Sequence, residues 1–214
     1  MVRALSFGTA LVLFVIGCGG ASSSGDPNFD AVAEKARTGD KDGALRMVLS
    51  YGGGPARWRS FETQSDSMGP TIEGGDRFLV QSIDYTKTHP RRGEVVAFIP
   101  TSAQLAACLS SPSTIYVKRV VGIAGDRVTV TRGSPAVVNG ASERSVGRPA
   151  DYEANFSVVP NGHLLVLGDN RPESCDAHLW QRPGDPTSAL VELSQLIGRV
   201  EVVYAPPNRA HRVR

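Results

Sequence analysis

Two hydrophobic periods divide this chain. Between residues 26 and 51, apolar positions recur at helical intervals: Phe29, Val32, Ala33 and Ala36, then Ala44, Leu45, Val48 and Leu49. Asp26-Pro27 reads as a cap followed by proline at the first helical position, Thr38-Gly39-Asp40 breaks the run, and Gly52-Gly53-Gly54 stops it. This predicts a hairpin of two short helices, a spacer or docking element. From residue 56 the period shortens. Apolar or alternating runs occupy 56–64, 77–84, 94–99, 114–123, 127–132, 136–139, 163–167 and 197–204. Turn residues separate them, as in Glu73-Gly74-Gly75-Asp76, Ala124-Gly125-Asp126 and Pro160-Asn161-Gly162. The pattern predicts a mainly β domain of antiparallel sheets over 56–206, with loops or insertions at 100–113 and 140–160 and a basic tail at 207–214.

The first residues bear on the compartment. Met1-Val2-Arg3 is a short basic start, and Ala4 to Gly17 is uncharged and largely apolar. As a helix this run reaches roughly 21 Å, short of the ~30 Å hydrocarbon core of a bilayer. Val15-Ile16-Gly17-Cys18 resembles a bacterial lipobox, in which the cysteine is lipidated. A lipoprotein signal ending at Cys18, a slightly short membrane anchor and a cleaved signal all fit the pattern. Each places the rest of the chain on the extracytoplasmic, periplasmic side of a membrane. Residues 19–25 then form a flexible polar tether, within a linking region that runs to residue 55.

Composition narrows the function. Net charge is +2, and the basic residues are scattered rather than striped, which gives no case for nucleic-acid binding. Cys18, Cys108 and Cys175 are the three cysteines. With Cys18 lipidated, Cys108 and Cys175 remain as a pair in an oxidising compartment, as a disulfide or as two buried thiols.

Three segments carry candidate chemistry. The chain has four lysines against nineteen arginines, and Lys118 sits within the valine-rich run Tyr116-Val117-Lys118-Arg119-Val120-Val121-Gly122. A buried ammonium can lose its proton and act as a base, which a guanidinium cannot. Alternation turns Arg119 away from Lys118. Ser67, in Ser65-Asp66-Ser67-Met68-Gly69-Pro70-Thr71, is the candidate nucleophile. Pro70-Thr71 favours a turn or helix start that leaves free amides near Ser67, with the Ser65 hydroxyl on the same side. The third segment, Gly168-Asp169-Asn170-Arg171-Pro172-Glu173-Ser174-Cys175-Asp176, is a polar loop after the apolar strand Leu164–Leu167.

Together with Arg92-Gly93-Glu94-Val95-Val96-Ala97-Phe98, these boxes resemble, in order, those of bacterial type I signal peptidases. These are membrane-bound serine–lysine peptidases that remove signal peptides. The resemblance implies an antiparallel β catalytic domain with Ser67 as nucleophile and Lys118 as general base. It implies an oxyanion hole from the Ser67 amide and Ser65 hydroxyl, with Ser174 orienting the lysine, Asp176 fixing its loop, and Asp169 paired with Arg119. Phe61, Thr63, Met68, Ile72, Tyr116 and Val117 align with pockets for small side chains, as Ala-X-Ala-like sites require. The implied partners are signal peptides of exported preproteins and membrane lipid, the chain acting as a monomer without cofactor or metal. The family's arginine at position 178 is His178 here, offering a hydrogen bond to Asp176 in place of an ion pair, with Arg171 as an alternative partner. A silent, lipid-anchored module that binds signal peptides shares the motif set. The self-cleaving repressors share the dyad but act in the cytoplasm, against which the export signal argues.

Overall fold

The computed structural model describes residues 2–4, 27–51, 57–85, 87–144 and 146–214. Cys18, the tether and all of the apolar leader beyond Ala4 lie outside the described residues. Among the described residues, no helix is long and apolar enough to cross a membrane.

The strands are β1 (Val2–Ala4), β2 (Trp58–Thr63), β3 (Arg77–Ser82), β4 (Val95–Phe98), β5 (Tyr116–Gly122), β6 (Val128–Val130), β7 (Val137–Val138), β8 (Ala141–Ser142), β9 (Ala154–Asn155), β10 (His163–Leu167), β11 (Val191–Glu192), β12 (Leu196–Ala205) and β13 (His211–Arg212). A nine-stranded antiparallel sheet runs β1-β2-β3-β12-β4-β5-β10-β11, with β13 also on β12, and a four-stranded sheet runs β8-β7-β6-β9. Each of the eight expected runs contains a strand. The helices are α1 (Phe29–Arg37), α2 (Lys41–Ser50), α3 (Ser102–Ala107) and α4 (Ala177–Trp180).

The helical hairpin is more than a spacer. Phe29, Val32, Ala33, Ala36, Ala44 and Val48 bury against Trp58, Leu79, Val202, Tyr204 and Ala210, which covers one face of β2, β3 and β12. The α1 cap is Asn28, whose side chain accepts from the Ala31 amide (3.1 Å), two residues beyond the expected cap. Leu49, expected on the apolar face of α2, is 38% exposed.

The segment 207–214 is folded rather than a free tail. β13 pairs with β12, beyond the stretch of β12 that β4 occupies. Val213 is buried beside Val95, Val117 and Val200. Within the expected loop 100–113 lies α3, opened by a reciprocal capping box between Thr101 and Gln104.

Candidate active site

The site forms where β5 meets two loops. β5 is buried along its whole length and flanked by β4 and β10. Opposite pleats send Lys118 and Arg119 to opposite faces. Leu167, the last residue of β10, pairs with Arg119, so the chain leaving β10 at Gly168-Asp169 emerges beside both side chains.

The Ser67 loop connects β2 to β3 and is closed at its base by Thr63 N to Asp76 O (3.1 Å) and Gly75 N to Thr63 O (2.7 Å). Met68 and Ile72 bridge across a turn and sink into an apolar cluster with Phe61, Phe78 and Val117. That anchorage holds Ser67 above β5. The loop after β10 grips the same segment: Asn170 N donates to Ser67 O (3.1 Å) and Asn170 Nδ2 to Asp66 O (3.1 Å). Gly168 is required there, since a Cβ would meet Ser174 Oγ at 2.2 Å and Ser67 O at 2.4 Å.

Lys118 Nζ lies 2.8 Å from Ser67 Oγ. The lysine is 4% exposed. Burial disfavours its charged form and draws its pKa down to about 8, against the upward pull of the Asp176 and Asp169 carboxylates. Ser65 and Ser67 are half-buried, and the Ser67 amide donates to Ser65 Oγ (3.2 Å). Ser174 stands close by, yet its buried hydroxyl has no hydrogen-bond partner, so it does not hold the lysine amine.

Asp176 and Asp169 fix the surroundings. Asp176 accepts from the Gly168 amide (2.8 Å) and from His178 Nδ1 (2.9 Å). His178 is therefore the side-chain partner of Asp176. Arg171 is directed elsewhere, to Glu143 (2.5 Å) and the Gly168 carbonyl (2.8 Å). The His178 ring stacks on Tyr152, with centroids 3.8 Å apart. Asp169 binds Arg119 through two bonds of 2.7 and 2.6 Å and accepts from Thr71 Oγ1 (2.5 Å). Arg119 also donates to Gly93 O (2.6 Å) and Arg214 O (2.7 Å). An ion pair removed from water holds only when its remaining donors are met, as here.

A cleft of about 250 Å³ opens over Ser67 and Lys118, lined also by Thr63, Ser65, Met68, Ile72, Tyr116 and Val117. Phe61 is not part of that lining; it stacks on Phe78, which is, with centroids 6.0 Å apart. Cys108 and Cys175 are joined by a disulfide that forms part of the cleft wall. A larger hollow of about 1060 Å³ lies on the Arg119 side of β5, walled by arginines and valines of β4, β5, β12 and the C-terminal segment. It holds neither Ser67 nor Lys118. Among the described residues, no cluster of His, Cys, Asp and Glu could hold a metal ion.

Thr71, Asn170, Glu143 and Tyr152 also shape the site, with roles that the sequence does not announce. Thr71 and Asn170 stand inside motif boxes, which was the available signal. Glu143 and Tyr152 come from the 140–160 insertion, whose sequence carries no marker of a contact with the loop after β10.

Residues 55–205 match the family model described as signal peptidase, peptidase S26. A signal peptidase I from Leptolyngbya laminosa is 39% identical over 147 residues, covering 68% of this chain and 68% of the relative. A probable signal peptidase I-2 from Synechocystis sp. is 37% identical over 68% of this chain and 62% of its own length. A probable thylakoidal processing peptidase 2, chloroplastic, from Arabidopsis thaliana is 33% identical over 68% of this chain and 37% of its own length. The chain belongs to the signal peptidase, peptidase S26, family.

Proposed function

We propose that this chain is a membrane-associated serine endopeptidase that removes N-terminal signal peptides from exported preproteins, with Ser67 as nucleophile and Lys118 as general base. The observation that carries the reading is the 2.8 Å contact between a buried lysine amine and a half-buried serine hydroxyl at the floor of a cleft. A neutral amine at that distance can take the Ser67 proton as the oxygen attacks the scissile carbonyl. The negative charge then developing on the carbonyl oxygen needs donors. The Ser67 amide, released from Ser65 Oγ, and the Ser65 hydroxyl turned outward would meet it at one point. The lysine next passes its proton to the leaving amine, and a water activated by the same amine releases the acyl chain from Ser67. The cleft's small volume beside Met68, Ile72 and Val117 favours short side chains next to the cut bond. Residues 1–18, through a lipid on Cys18 or by spanning, would hold this cleft at the extracytoplasmic membrane surface, and either form of anchoring takes Val2–Ala4 off the edge of β2; the chain would act as a monomer.

A synthetic preprotein with an Ala-X-Ala site tests the reading. Wild type is expected to release a single mature fragment, and Ser67→Ala and Lys118→Met to release none above background. Cleavage retained in either variant overturns the assignment.

A further inference from the structure

α3 ends in a way its sequence should resist. Leu109 N donates to Ala106 O (3.2 Å) and Ser110 N to Leu105 O (2.9 Å), the paired bonds of a helix end whose outer residue is left-handed. That residue is Leu109, with φ 50°. Glycine is the usual occupant, because a Cβ presses against the backbone in this conformation. Folding returns nothing for the strain, since Leu109 is 94% exposed. An apolar side chain is thus held in water, in an unfavourable backbone state, at the lip of the Ser67–Lys118 cleft.

Its neighbours are fastened to catalytic elements on both sides. Cys108 is disulfide-bonded to Cys175, which stands between Ser174 and Asp176. Ser110 Oγ accepts from Tyr116 Oη (2.8 Å), two residues before Lys118 on β5. Gln104 anchors the start of the loop by donating to Leu190 O (3.0 Å). The lip is therefore held in fixed relation to the nucleophile, and local strain kept in such a place points to use.

We infer that Leu109 is a specificity-determining contact, against which an apolar side chain of the bound peptide packs beside the small residues at the scissile bond. The Cys108–Cys175 bond holds that contact in place. This inference rests on the reading that the cleft takes a peptide, and it concerns binding rather than the chemical step.

The test uses the full chain carrying Ser67→Ala, which keeps the cleft without turnover. Two fluorescent peptides are titrated, one with leucines flanking the small pair and one with serines there. Leu109→Gly is expected to raise Tm by about 2–4 °C, because glycine relieves the left-handed position. The same change should weaken the leucine peptide about tenfold, the scale of uncovering most of a leucine side chain, and the serine peptide by less than about twofold. Unchanged affinity for the leucine peptide overturns the inference. So does an equal loss with both peptides, or no peptide binding by the Ser67→Ala chain. Wild-type cleavage, assayed in parallel, reports on the catalytic reading separately: binding as expected without cleavage overturns that reading and supports this one.

Discussion

Lys118 sits at a cost that its chemistry explains. An exposed lysine is almost fully protonated at neutral pH and cannot accept a proton from serine. Burial on β5 brings its pKa to about 8, so a useful fraction is neutral in mildly alkaline solution. Cleavage should therefore rise with pH through an apparent pKa near 8, read as kcat/KM against pH; a flat profile from pH 5 to 10 would count against this base. The same depression bears on stability, and its sign is opposite to that of a salt-bridged lysine. Between pH 8 and 10.5 the unfolded chain binds the proton that the folded chain has released, so stability rises with pH across that window. Below pH 8 the folded state carries the full penalty, a difference of about 2.5 units or ~3 kcal/mol. Lys118→Met, similar in length and without charge, should be more stable than wild type by up to that amount at pH 7. The gain should fade toward pH 10.5 in denaturant titrations at several pH values. A variant less stable than wild type at pH 7 would show that the 2.8 Å contact outweighs desolvation.

Among the elements, the helical hairpin was legible as helices but not as part of the core. Its apolar spacing marked Phe29, Val32, Ala33 and Ala36, and these are the α1 side chains that are buried. What they bury against, Trp58, Leu79, Val202 and Tyr204, lies up to 175 residues away and leaves no local signal. A chain beginning at residue 56 should therefore expose those side chains, melt at lower temperature than one beginning at residue 27, and self-associate in size-exclusion chromatography. Equal melting temperatures would show that the hairpin adds nothing to the sheet. The eight runs were readable because their alternation or continuous apolar character extends past the paired residues, as in 136–139, where β7 itself is only Val137–Val138. β8, β9, β11 and β13 are two residues each and offer no period at all. α3 is readable in principle from Thr101 and Gln104, a capping pair at the right spacing inside a stretch whose overall composition indicates a loop. In the site, ordered motif boxes brought Ser67, Lys118, Asp169 and Asp176 together. The orphaned Ser174 hydroxyl, the Arg171–Glu143 pair and the exposed Leu109 depend on side-chain directions that spacing does not encode.

At the scale of the molecule, β5 works as a partition. Lys118 faces the small cleft, and Arg119 faces the larger hollow behind it. Arg119 is bonded at once to Asp169 and to the backbone oxygens of Gly93 and Arg214. Through Asp169 and Thr71 the arginine reaches the Ser67 loop, so Arg214 is three hydrogen bonds from the turn that presents Ser67. A bulky group introduced at Val213 or Arg214 would thus press on the guanidinium next door to Lys118, from inside an arginine-walled hollow. Probes for kinetic work belong on faces away from both that hollow and the cleft.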